Sequence, residues 1–364
     1  MSEVIIKAIK VKKVLSAHDH VDGGWFWSKY SAQQYSGCQY GCTYCFLRGS
    51  SYGIADDQDS FTKNITYKEN LIQIFEEELR NTNPDIIVVG DYQPIEAKLG
   101  LSRKLLEICL KYKFPVVVVV KSLLILRDID ILKKLTSSSF VSVVVSIASD
   151  KSEGYREYFE PGATTIESRF ELLRKLSEEG IHVGVSMMPI IPGVNDDPVT
   201  VENIIVEAKE NGAKYVLGGG LTLLPGQKQF FYKSLVKWNP EKAEQLKHLY
   251  ANSDSPKDDS WLKLGRLVKK LCIKHDLDYR MKRYVQDSPL KDNKLLAEKL
   301  FLEVYEKEIE GIDSDICWSW RKLAWKVDEA QELITNISLD MLIGQELKIE
   351  GAREFILRKL SDYN

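Results

Sequence analysis

The chain has 364 residues, 44% of them hydrophobic and 28% charged, with a formal net charge of −3. That length fits about two domains, and the composition is that of a globular protein with a real core, which excludes disordered and collagen-like classes. The longest apolar run, Phe114–Val120, is far short of the roughly 18 residues of a membrane span, and the slight acidity excludes indiscriminate coating of nucleic acid but not a local basic site.

Residues 1–30 read as an irregular N-terminal segment, with a turn at Asp22-Gly23-Gly24 ahead of the aromatic run Trp25–Trp27. The opening MSEVIIKAIKVKK has no signal-peptide pattern, so a cytoplasmic location with no membrane partner is the expectation. Residues 31–224 alternate amphipathic stretches with apolar runs rich in β-branched residues. The expected order is helix Tyr67–Arg80, strand Asp85–Gly90, helix Leu101–Lys113, strand Pro115–Lys121, helix Asp128–Leu135 and strand Phe140–Ile147. Helix Thr165–Glu179, strand Ile181–Met188, helix Val199–Asn211 and strand Lys214–Gly220 follow. Apolar strands separated by helices imply a parallel sheet buried on both faces, an α/β fold, with a partial (β/α)6-type parallel barrel favoured over an open sheet. Residues 225–364 then read as an additional helical C-terminal region. Its expected helices are Lys228–Tyr250, Trp261–His275, Lys294–Glu310, Ile316–Ile334 and Met341–Leu360, with a break at Asn252–Asp259.

Chemistry concentrates in YSGCQYGCTYCF, Tyr35–Phe46, which spaces Cys38, Cys42 and Cys45 as C-x3-C-x2-C. Thiolates are soft ligands that suit iron–sulfur clusters, zinc or copper(I). Three of them cannot complete the four-thiolate set of a four-iron cube, so one iron is left open. A closed zinc site needs four protein ligands, for which only His18 or His20 is at hand, so a zinc or iron–sulfur binding module without catalysis stays as an alternative. Gly37 and Gly41 let the loop turn tightly. Cys109 and Cys272 read as core residues of helices; Cys317 lies beside Trp318 and Trp320.

The cysteine spacing, an aromatic after the last cysteine and the following βα units together resemble the radical S-adenosylmethionine superfamily, in particular the branch that includes spore photoproduct lyase. The likeness runs through WSKYSAQQYSGCQYGCTYCFLR, DYQPIEAKLGLSR (Asp91–Arg103), VVKSLLILRDIDIL (Val119–Leu132), VVSIAS (Val144–Ser149), FEPGATTIESR (Phe159–Arg169) and MPIIPGVND (Met188–Asp196). It implies a [4Fe-4S] cluster on Cys38, Cys42 and Cys45 whose open iron is chelated by S-adenosylmethionine. One electron, from a donor such as flavodoxin or ferredoxin, then yields a 5′-deoxyadenosyl radical that abstracts hydrogen from the substrate.

By the same resemblance Phe46 lies against the adenine, and Asp91, Gln93 and Glu96 form a segment that holds the methionyl amine. Lys121 pairs with the methionyl carboxylate, Ser146 binds ribose or carboxylate, and Gly193, Asn195 and Asp196 line the adenosine site. One departure stands out. Spore photoproduct lyase carries a cysteine just after the strand matching Asp85–Gly90, and Val88-Val89-Gly90-Asp91 has none, so a different substrate is expected. Residues 261–283 carry eight basic residues against Asp276 and Asp278, a candidate phosphate-backbone contact. The expected reaction is thus a lyase-like repair or modification of nucleic acid, with a small molecule or peptide as the alternative substrate.

Overall fold

Five consecutive valines have no polar face to offer water, so Val116–Val120 can form a strand only where both of its faces are covered. The computed structural model, which describes residues 4–49, 58–151, 154–336 and 352–361, places that strand within a sheet, nearly all of it buried. The strands are β1 (Ile5–Ile9), β2 (Leu15–Ala17), β3 (Tyr30–Ala32), β4 (Tyr35–Ser36), β5 (Asn64–Lys68), β6 (Ile87–Val89), β7 (Val116–Val120), β8 (Val141–Ser146), β9 (His182–Ile190) and β10 (Tyr215–Gly220). The helices are α1 (Gln58–Lys63), α2 (Leu71–Arg80), α3 (Glu96–Leu99), α4 (Leu101–Lys111), α5 (Ile129–Ser138), α6 (Tyr155–Phe159), α7 (Ile166–Glu178) and α8 (Pro198–Glu210). They continue with α9 (Gln227–Trp238), α10 (Pro240–Tyr250), α11 (Ser260–Lys274), α12 (Lys291–Glu310) and α13 (Ser314–Glu329), and Ala352–Ser361 is helical as well.

The larger sheet runs β10-β9-β8-β7-β6-β3-β2. Every pair from β3 to β10 is parallel, and only β2 is antiparallel to its neighbour. Six parallel strands in chain order, with α4, α5, α7 and α8 among the crossovers, make a partial (β/α)6 barrel. Local chemistry sets the helix starts: Thr165 caps α7 through its hydroxyl, and Asp197 caps α8 by accepting from the N–H groups of Val199 and Thr200, with Pro198 in the first turn.

Three sequence expectations need correction. The first 30 residues are not irregular, since they contain β1 and β2. Strand β1 is exposed at all five positions and so carries no alternation to read; it is held by parallel pairing with β5. Tyr67 and Lys68 end β5 rather than beginning a helix, because β4 and β1 bond its two edges, and Asn70 before α2 is tied by its side chain to both backbone groups of Val11. The single helix expected over Lys228–Tyr250 is broken at Asn239, whose extended backbone and side-chain cap start α10 at Pro240. The expected helix Met341–Leu360 falls outside the described residues up to residue 351.

The chain divides into two compact units, Met1–Ala17 with Tyr30–Tyr279, and His18–Lys29 with Arg280–Asn364. Residues 225–279 therefore belong with the sheet. In that unit α9 and α10 contribute Phe231, Leu235, Ala243, Leu246 and Tyr250 to an apolar cluster shared with Tyr40, Cys42 and Tyr44. In the other unit the Asp22 carboxylate accepts from the N–H groups of residues 24–28, fixing the turn that presents Trp25 and Trp27. There Trp27 donates to Met281 O, and Arg283 is buried against Asp328. Among the described residues, no helix is long and apolar enough to cross a membrane.

Candidate active site

The cysteine loop leaves β4 and lies near the carboxyl ends of the barrel strands, in contact with the residues that follow β6, β7 and α6. Gly37 has φ +81°, and a Cβ there would stand 2.7 Å from Asn64 O, so only glycine lets the loop pass β5 this closely. Cys42 is buried, and Cys38 and Cys45 are partly so. Burial pushes all three thiols up, Cys45 to about 12. Thiolates form here only against a cationic partner. Among the described residues no three His, Cys, Asp or Glu side chains converge on a position suited to one metal ion. A polynuclear cluster does not require that convergence, since each thiolate reaches a different iron.

Two glutamines fasten the loop to the segment after β6. Gln93 accepts from Gln39 N–H at 3.0 Å and donates to Gly37 O at 3.1 Å and to Asp91 at 3.0 Å, while Gln39 accepts from Ile95 N–H at 2.6 Å. Asp91 lies close enough to act electrostatically on Cys38, and burial raises its own carboxyl to about 6. Glu96 is placed elsewhere. Its carboxylate accepts from Tyr35, from Leu101 N–H at 2.9 Å and from Arg127 at 2.8 Å, so it organises the loop around α3 instead of facing the thiols.

On the other side, Lys121 at the end of β7 donates to Tyr44 Oη and to Glu160 Oε1, each at 2.7 Å. Arg169, fully buried in the second turn of α7, bonds the other Glu160 oxygen, Thr164 O and Ser146 O. Lys121 and Arg169 hold the Glu160 carboxyl down to about 2, although burial alone would raise it. Two cations on one carboxylate leave one positive charge over, beside a loop of thiols. Ser146 is thus brought to this cluster through its carbonyl. Gly162, after α6, donates to Tyr40 O at 2.9 Å, and a Cβ on it would lie 2.5 Å from Gln39 O.

The remaining expected residues are more dispersed. Phe46 opens a 3-10 turn (Phe46–Arg48) and is 52% exposed. Asn195 is buried, and its amide is committed to backbone: it accepts from Ile191 N–H at 2.6 Å and donates to Ala148 O and Pro189 O, joining the segments after β8 and β9. Gly193 sits in a local turn closed by Asp196 at 2.8 Å. Tyr44, Arg48, Glu160, Arg169 and Gln227, which donates to Tyr44 O, were not singled out from sequence. Glu160 and Arg169 had a signal: both belong to FEPGATTIESR, where Thr165 caps α7 and so fixes Arg169 on its inner face.

Several basic residues of the run at 261–283 are engaged within the protein. Lys263 pairs with Asp259 at 2.8 Å, and Lys274 pairs with Glu202. Arg280 packs over the Trp25 and Tyr305 rings at 4.0 and 3.5 Å, and Arg283 is buried against Asp328. In the C-terminal unit His20 stacks on Trp325 and bonds Glu329 at 2.8 Å; Trp320 is buried while Trp318 is exposed.

A parallel partial barrel with charged side chains and a three-thiol loop gathered near the carboxyl ends of its strands is the layout of an α/β-barrel enzyme. Residues 34–205 match the Radical SAM superfamily. An uncharacterized protein of Methanocaldococcus jannaschii is 32% identical over 214 residues, covering 57% of this chain and 74% of that protein. An uncharacterized protein of Mycobacterium tuberculosis is 24% identical over 229 residues, covering 61% and 67%. A solved structure of a cysteine-to-alanine mutant of spore photoproduct lyase with dinucleoside spore photoproduct superposes with a TM-score of 0.54 at 13% identity, over 75% of this chain and 79% of that one. The chain belongs to the radical S-adenosylmethionine superfamily and is an enzyme of that class. It shares the fold of spore photoproduct lyase and is distant from it in sequence.

Proposed function

We propose that this chain binds a [4Fe-4S] cluster through Cys38, Cys42 and Cys45, together with S-adenosylmethionine, and acts on a substrate other than spore photoproduct. The observation that carries this reading is the surroundings of the loop. Of the six buried side-chain N and O atoms without a hydrogen-bond partner among the described residues, four lie on Thr43, Arg48 and Tyr155, around these cysteines. Native interiors rarely leave such groups unpaired, and a bound group accounts for their concentration here. When bound, cluster and nucleoside supply reductive cleavage to a 5′-deoxyadenosyl radical.

The chain's own contribution is orientation and charge. Gln93 and Gln39 hold the loop backbone, and Gly37 and Gly162 let neighbouring segments close on it. We assign Lys121 to the methionyl carboxylate, because the Lys121–Glu160–Arg169 set carries an excess positive charge that suits one further anion. Asp91 is the acid left for the methionyl amine once Glu96 is taken by Tyr35 and Arg127.

The substrate reading follows from cysteine placement. No cysteine follows β6, Cys109 and Cys272 are buried in α4 and α11, and Cys317 is buried in α13, so none takes the position that spore photoproduct lyase fills with a cysteine after the matching strand. Within the basic run, Arg280 lies over two aromatic rings and Arg283 is buried on Asp328, so these two are not free for phosphates, and we favour a small molecule or peptide over a nucleic-acid lyase reaction. Anaerobic reconstitution with iron and sulfide tests the proposal. About four iron per chain and formation of 5′-deoxyadenosine from S-adenosylmethionine under dithionite are expected, both lost in Cys38→Ala, Cys42→Ala and Cys45→Ala. Zinc retention without colour, or undiminished 5′-deoxyadenosine from the alanine variants, would overturn it. Retention on oligonucleotides that weakens with salt would restore the nucleic-acid reading.

A further inference from the structure

Arg48 is among the largest fully buried side chains of the protein, 1% exposed. Its guanidinium packs over Phe61 at 3.8 Å and Phe230 at 5.0 Å, and its Nε donates to Cys42 O at 2.9 Å. Both Nη groups, with four N–H bonds between them, have no partner. The other buried cation of the site, Arg169, is paired with Glu160; among the described residues Arg48 has no carboxylate partner, and the titratable groups close enough to act on it are Cys45, Cys42 and Cys38. A slot between two phenylalanine rings would suit a methionine or leucine at much lower cost than an unpaired guanidinium. A buried charge of this kind is stable only beside a compensating anion, and the thiolate set is the anion within reach.

We infer that Arg48 is a positioning residue that serves as the buried counter-charge of the iron–sulfur centre, its charge and its two free Nη groups stabilising the centre's more negative, reduced state. This rests on the cluster reading above. Adding one electron adds one negative charge inside a low-dielectric loop, and a fixed cation nearby makes that addition easier. The electron comes from an external one-electron reductant, dithionite in vitro, and no bond to Arg48 forms or breaks. Replacing Arg48 by a neutral side chain therefore moves the reduction midpoint to more negative potential.

The test uses the full chain as wild type, Arg48→Met, Arg48→Lys and Arg48→Gln. Each is compared metal-free by urea unfolding, and after anaerobic reconstitution by iron content, by redox titration followed by electron paramagnetic resonance, and by cluster loss to a chelator. Metal-free R48M is expected to unfold at a urea concentration no lower than wild type, because no charge remains buried without a partner. Reconstituted R48M should show a more negative midpoint and lose its cluster about tenfold faster. R48K, which keeps the charge, should stay close to the wild-type midpoint. R48Q, neutral and polar, carries the same comparison if R48M does not fold. A midpoint unchanged in the neutral variants overturns the inference, as does failure of both to fold metal-free, which would make Arg48 a purely structural residue. If wild type itself takes up no iron, the cluster reading fails; if it loads about four iron and the neutral variants match its potential, only the role of Arg48 fails.

Discussion

Lys121 and Glu160, 39 residues apart in the chain, meet at 2.7 Å beside Tyr44, and Arg169 holds the second Glu160 oxygen. This arrangement joins the end of β7 to the turn after α6 and sets the charge next to the cysteine loop. With the Glu160 carboxyl held to about 2 against 4.5 in an unfolded chain, its contribution to stability is complete above about pH 4.5 and is lost as the pH falls toward 2. The loss from this group alone amounts to about 3 kcal/mol. Glu160→Gln removes the anion and leaves Arg169 buried without it, at a cost of about 3–5 kcal/mol at neutral pH. Urea midpoints of the two proteins should therefore converge between pH 5 and 2. Parallel curves over that range would show that the ion pairs do not act as described.

Gln93 closes the cysteine loop from the β6 side. Gln93→Leu keeps the volume but leaves Gln39 N–H and Gly37 O without their partner, which costs about 1–3 kcal/mol for each buried group left unsatisfied. The expected outcome is a chain that still folds but incorporates less iron, and whose loop amides near Gly37–Gln39 exchange hydrogen faster. Wild-type iron loading together with wild-type exchange at those amides would remove Gln93 from the positioning set.

Gly162 tests the close approach of the α6–α7 connection to the loop. Gly162→Ala sets a methyl group 2.5 Å from Gln39 O and 2.9 Å from Tyr40 O, both backbone atoms that cannot rotate aside. Overpacking of this kind costs about 1–3 kcal/mol. Because the strain falls on the loop, cluster retention should drop along with the thermal midpoint. A variant that loses thermal stability yet holds iron as wild type does would show that the connection supports the fold and not the loop.

Much of this protein was written into local patterns. The five valines of β7 demanded cover on both faces, and three cysteines within eight residues defined the chemistry of one loop, because residue type, periodicity and spacing act over a few neighbouring residues. Contacts across long separations were decided only by the tertiary structure. It gave Lys121 to Glu160, turned Glu96 toward Tyr35 and Arg127, committed the Asn195 amide to backbone and paired Arg283 with Asp328. It also supplied β1, whose five exposed residues show no pattern and which exists through its hydrogen bonds to β5. Side-chain type states what a residue can bind, whereas charge pairing and burial depend on which distant groups folding brings within a few ångströms, and that information lies in no single stretch of the chain.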